Sequence, residues 1–256
     1  GPLMGVPVAI KDIIAVDGMP TTAGSDVDVA DLIGTEGSFV KSLKRAGCVI
    51  LGKVKTVEFA AGGTGINFVR GTPWNPWDAE TQREPSGSSS GSAVAVAAGL
   101  CAFAIGSDTT GSVRGPAAHC GVFGLKTTKG LWPTDGVFPL TPTLDTIGPL
   151  TRTAADCAHV FAALTGQPVP VPAVPRGLRL GKPTTLFYDN LDADVEHCTA
   201  AALTLLSAAG VEIVPMEIPE AAEVVGEFAP FLPTELIAVL GRERFIAERA
   251  RMDPVV

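Results

Sequence analysis

Val6 to Ile10 ("VPVAI") is a short apolar run with β-branched residues, which predicts a buried strand ending at Lys11 and Asp12. The period then changes. Within "TEGSFVKSLKRAGCVILGK", Phe39, Val40, Leu43 and Ala46 recur at helical spacing, Gly47 stops the helix, and "CVIL" follows as a strand. "GTPWNPWDAETQREPSG" carries turn residues and three prolines, and is expected to be irregular surface structure. Small residues from Ser92 to Gly99 predict a tightly packed helix, and "AFAIG" a returning strand. "RTAADCAHVFAALTG" reads as another helix with Thr153 as its N-cap. Farther on, "LRLGKPTTLF", "LDADVEHCTAAALTLLSAAG" and "VEIVPM" read as strand, helix, strand.

This alternation predicts an α/β fold with a mixed, largely parallel sheet flanked by helices on both faces. The proline-rich stretch near 167–176 ("QPVPVPAVPR") reads as a stiff connector. Strand–helix–strand units on either side of it are expected to feed one sheet, so residues 1–256 are read as a single domain.

Composition narrows the function classes. The 256 residues are 46% hydrophobic, enough for a sizeable core. A net charge of −8 lacks the basic footprint of a nucleic-acid binder. No apolar run reaches the roughly 18 residues of a membrane span, and no signal peptide is visible at the start. Five scattered cysteines without a CxxC read as reduced thiols, which favours the cytoplasm over a disulfide framework or a zinc site.

Among candidate chemistries, phosphate loops are weakly supported, since neither GxxxxGK[ST] nor a strand-to-helix GxGxxG is present. His119, His159 and His197 stand far apart and carry no metal-ligand spacing. His159 reads as a core or boundary residue of its helix, His119 as packing and His197 as helix surface. Serines offer more. Five of them fall within Ser86–Ser92, which taken alone resembles a solvated linker, yet the run leads straight into an apolar stretch. "GSSSG" formally matches the GxSxG of an α/β-hydrolase esterase, with Ser89 as nucleophile and a histidine as base, but the required preceding strand is replaced by "ETQREPS". "AIGSDTTGSVR" instead places Ser112 after a buried strand and a glycine-bearing turn, where several backbone N–H groups can converge as an oxyanion hole. Read alone, it is equally an ordinary strand–helix turn with a capping serine. A serine nucleophile needs a base. Lys11 closes an apolar strand, and burial can lower its pKa from ~10.4 by about three units, a shift of roughly 4 kcal/mol. The plainer reading of Lys11 is a strand-end cation paired with Asp12.

Together, "GPLMGVPVAIKD", "AGCVILGKVKTVEFAAGGTGIN", "GTPWNPWD", "SGSSSGSAVAVAAGLCAFAIGSDTTGSVRGPAAHCGVFGLKTTKG" and "TLDTIGPLTRT" resemble the amidase signature family over nearly all of Gly1 to Gly166. The resemblance implies that Lys11 is the catalytic lysine, that Ser88, following a cis peptide bond, is the bridging serine, and that Ser112 is the acyl-forming nucleophile. It also implies an oxyanion hole from the N–H groups of Thr109, Thr110, Gly111 and Ser112, and substrate contacts at Gly62, Gly63 and Thr64. The implied activity is hydrolysis of a linear, small-molecule carboxamide without metal or cofactor. The implied partners exclude direct nucleic acid and membrane contact and allow a homo-oligomer. Two other functions stay open: the amidase component of a tRNA-dependent amidotransferase, and a truncated non-catalytic module. Ser86, Ser90 and Thr110 stand where the family commonly has glycine. Against the family pattern the chain is expected to be incomplete at both ends.

Overall fold

The computed structural model describes residues 1–228 and 230–256. The chain divides into two compact units, one of Gly1–Val169 with Leu232–Val256 and one of Pro170–Phe231.

The first unit contains strands β1 (Pro7–Lys11), β2 (Val49–Val54), β3 (Phe103–Asp108), β4 (Phe123–Gly124) and β5 (Thr146–Thr151), in the sheet order β2-β1-β3-β5-β4. β1 runs parallel to β2 and β3, while β5 is antiparallel to β3 and β4. Four of the five strands therefore share one direction, as the alternating pattern predicts. Helices α1 (Ala30–Ile33), α2 (Ser38–Ala46), α3 (Ser90–Ala97), α4 (Arg114–His119) and α5 (Ala154–Thr165) belong to the same unit.

Both sheet faces are covered, which explains why β1 and β3 read as continuous apolar runs instead of alternating. Val8 and Ile10 join Phe103, Ile105 and the predicted α2 stripe of Phe39, Val40, Leu43 and Ala46 in one core. Ala9 and Ala104 face the other way, onto Ala93 and Val96 of α3 and Ala117 of α4. Each fully buried large aliphatic or aromatic side chain contributes about 1.5–3 kcal/mol. The small residues of α3 let it lie close against the sheet, so the serine loop before it is drawn towards the ends of β1 and β3. Thr153 caps α5 as expected, exchanging hydrogen bonds with Asp156 in a capping box.

The second unit holds β6 (Arg179–Pro183), α6 (Ala193–Ala208), β7 (Glu212–Met216) and α7 (Glu220–Phe228). β6 and β7 pair in parallel, joined by α6 as a parallel crossover requires. Here the structure departs from the expected single sheet, because β6 and β7 form a two-stranded sheet of their own. A strand–helix–strand pattern fixes the elements but carries no information about which strand accepts the next one.

Beyond Met216 the sequence pattern assigns no element. The structure there places α7, then α8 (Phe231–Leu240) and α9 (Arg242–Glu248). Leu236 and Leu240 enter the core of the first unit. The Asp253 N–H donates to Glu58 Oε2 at 2.5 Å, and Asp253 Oδ2 accepts from the Phe68 N–H at 2.9 Å. Among the described residues no helix is long and apolar enough to cross a membrane.

Candidate active site

Lys11 is the last residue of β1 and is wholly shielded from solvent. Its Nζ lies 2.7 Å from Ser88 Oγ and 2.9 Å from Ser107 Oγ. Burial pushes its pKa down to about 7, against the opposing pull of the Asp145 and Asp108 carboxylates. The strand-end reading fails on geometry, because Asp12 is bound by Lys53 (2.9 Å) and not by Lys11.

Ser88 is also fully buried, and the Gly87–Ser88 peptide bond is cis. Only glycine fits at 87: a Cβ there would come within 2.8 Å of Gly62 O, Gly65 N and Val57 Cγ2. The Gly87 N–H and the Ser86 hydroxyl both donate to Gly63 O, at 2.7 and 2.9 Å. Gly62 and Gly63 therefore back the serine loop, while Thr64 is exposed beside them. The Ser88 carbonyl accepts from Thr56 Oγ1 and from the Val57 N–H. The loop is thus a packed, hydrogen-bonded element, which excludes the linker reading. Ser86 occupies the left-handed region at φ +61°, where the glycine common in the family would be unstrained.

Ser112 sits at the end of the Thr109–Ser112 turn and is nearly buried. Its carbonyl accepts from the Ser89 N–H at 3.2 Å, which joins the two serine segments. Among the described residues its hydroxyl makes no hydrogen bond, so the Lys11–Ser88 contact is formed and a Ser88–Ser112 contact is not. The turn is built around Asp108, whose Oδ1 accepts from the Gly111 N–H at 2.8 Å and whose Oδ2 accepts from the Val113 N–H at 3.1 Å. The Arg114 guanidinium grips the same carboxylate through Nε (3.1 Å) and Nη2 (3.0 Å). Burial would raise the Asp108 pKa, but the arginine and the backbone donors outweigh it and hold the group below the usual carboxylate range.

The Gly111 N–H, one of four expected oxyanion donors, is thereby turned inward to Asp108. The N–H groups of Thr109, Thr110 and Ser112 meet no acceptor among the described residues. Gly111 carries the turn's one left-handed conformation at φ +138°, whereas Thr110 avoids positive φ and needs no glycine.

Ser89, the esterase-type candidate, has its hydroxyl bound to the Ser107 backbone and not to Lys11, Ser88 or Ser112. Its Oγ donates to Ser107 O at 3.1 Å, it is fully buried, and no strand precedes it. All three histidines are exposed. That corrects the core or boundary role expected of His159, since α5 buries Cys157, Val160 and Ala162 and turns His159 outward. His119, the last residue of α4, is likewise solvent-facing where packing was expected. Single replacement of His119, His159 or His197 is expected to change kcat less than about tenfold, or roughly 1.4 kcal/mol, as steady-state assays of each variant would register.

Ser107 was missed by sequence reasoning. Its signal is akin to the one that marked Lys11, since Ser107 and Asp108 are the polar residues that end an otherwise apolar buried strand. Among the described residues no cluster of histidine, cysteine, aspartate and glutamate could hold a metal ion.

Residues 1–253 match the amidase family. The chain is 43% identical over 262 residues to 2-amino-5-chloromuconic acid deaminase of Comamonas testosteroni, a match covering 100% of this chain and 56% of that protein. A glutamyl-tRNA(Gln) amidotransferase subunit of Heliobacterium modesticaldum is 38% identical, with 94% and 52% covered. A crystal structure of an amidase superposes with a TM-score of 0.91 at 32% identity, covering 99% of this chain and 57% of that one. The chain thus spans about half the length of the curated relatives it matches.

Proposed function

The chain belongs to the amidase family, and from that premise we propose that it acts as an amidohydrolase whose acyl-enzyme forms on Ser112. The observation that supports this reading most is the buried Lys11–Ser88 contact of 2.7 Å beside the Ser112 turn. With a pKa of about 7, the Lys11 amine is neutral in a large fraction of molecules at neutral pH. A neutral amine offers a lone pair to the Ser88 proton, while Ser107 fixes its orientation. As Ser88 gives up that proton it takes one from Ser112, and Ser112 Oγ attacks the amide carbonyl. The developing oxyanion is met by the N–H groups of Thr109, Thr110 and Ser112. The proton returns through Ser88 to the departing amine, and water then releases the acid.

The Ser88–Ser112 hydrogen bond is expected to close when substrate occupies the turn, since catalytic hydrogen bonds are often loose without a ligand. Gly62, Gly63 and Thr64, which adjoin the serine loop, are the residues proposed to border the acyl group. The substrate is a small carboxamide. A role as one component of a tRNA-dependent amidotransferase has the support of the Heliobacterium match, and stable co-purification with a second component would favour it. The test of the main reading is ammonia release by the intact protein from a panel of linear amides. Turnover without any added partner supports a free-standing hydrolase, and no release from any amide overturns it.

A further inference from the structure

The Thr109–Ser112 turn is held from two sides. Asp108 grips it from below, and its charge is offset by the two-point contact with Arg114. On the other side stands Asp145, in the residue before β5. Thr146, its neighbour, pairs with Asp108 across the β3–β5 ladder and donates its hydroxyl to Asp108 O at 2.7 Å. That register sets Asp145 just past the end of β3, two positions beyond the Ser107–Ile147 pair, within electrostatic reach of the buried Lys11 amine. Asp145 Oδ1 accepts from Thr109 Oγ1 at 2.6 Å, and Oδ2 accepts from the Thr141 N–H at 3.0 Å. Among the described residues no lysine, arginine or histidine forms an ion pair with it.

We infer that Asp145 is a positioning residue for the reaction, tethering the oxyanion turn through the Thr109 hydroxyl while its unpaired charge acts on Lys11. This rests on the amidohydrolase reading only where turnover is concerned. The charged groups around Lys11 divide simply. On β1 and β2, Asp12 and Lys53 pair with each other. On β3, Asp108 is paired with Arg114 of α4. Asp145 is the remaining carboxylate, and burial raises its own pKa despite the Thr109 and Thr141 donors. Its negative charge favours the protonated amine, opposing the burial that drives Lys11 towards neutrality. The site therefore holds a base strong enough to take a proton and still neutral in part at pH 7.

Two substitutions separate the tether from the charge. Asp145→Asn removes the charge and keeps the shape, and Asp145→Ser serves if the asparagine variant does not fold. Thr109→Val removes the hydroxyl and leaves the charge. The primary readout is the NMR titration of the Lys11 side-chain carbon in the intact protein, which needs no turnover. Asp145→Asn is expected to lower the Lys11 pKa by at least about half a unit. Thr109→Val is expected to leave it in place while lowering kcat about tenfold with little change in KM. An unmoved Lys11 titration in folded Asp145→Asn protein overturns the inference, as does an equal shift in Thr109→Val. If Lys11 shifts as expected but the activity limb does not follow it, the charge role stands and the lysine-base mechanism fails.

Discussion

Lys11→Arg removes nearly all turnover, at least about 10³-fold in kcat/KM, together with the acid limb of the pH profile. A guanidinium keeps its proton throughout the accessible range and has no lone pair to offer Ser88. In the unsubstituted protein the sign follows from the proposed mechanism, in which Lys11 acts when neutral. Activity rises with pH through about 7, where burial has placed the amine, and falls about tenfold for each unit below it. At pH 5 about 1% of the plateau remains. An unburied lysine would put the same limb near 10.4. A histidine limb near 6.5 lies close enough that its position alone does not identify the base. The substitution does. Because arginine is larger and the site is closed, Lys11→Met provides a second variant that keeps the stem without the charge, and circular dichroism checks that each is folded. Substantial activity in folded Lys11→Arg protein with an unmoved limb would reduce Lys11 to a structural cation.

Ser112→Ala loses at least about 10³-fold in kcat, equivalent to roughly 4 kcal/mol of transition-state stabilisation, and forms no acyl adduct. Its fold is retained, because the Ser112 hydroxyl makes no hydrogen bond among the described residues and the Cβ packing survives. Intact-protein mass spectrometry after reaction with a fluorophosphonate should show a single adduct on the parent protein and none on the variant. Peptide mapping assigns the site. An adduct on Ser89 would restore the esterase reading, although that hydroxyl is directed at the Ser107 carbonyl.

Local rules account for much of what was legible. The α2 stripe of Phe39, Val40, Leu43 and Ala46 and the Thr153 cap depend on spacing within one turn or two of helix. The strands β1 and β3 were readable because burial on both faces leaves an unbroken apolar run that ends abruptly at a polar residue. That same abrupt ending marked Lys11. It also marks Ser107, but that residue sits inside "GSDTTGS", and a serine near a turn has many ordinary reasons to be there. The departures arise where pairing is long-range. Nothing local in β6 or β7 forbids their joining the larger sheet, and nothing in "TTGS" reveals that the Gly111 N–H is spent on Asp108.

The sequence by itself determined the strongly periodic elements up to Met216, their α/β order, the family, and the three residues that a lysine–serine relay would require. These follow from short-range periodicity and from motif identity, both of which are written along the chain. Tertiary structure alone decided which groups meet. Lys11 and Ser88 are 77 positions apart, and Lys11 and Ser107 are 96 apart. Their contacts exist because β1 and β3 pair in parallel and α3 packs its small residues close to the sheet. Burial at that junction, and not the identity of the lysine, is what lowers its pKa to about 7.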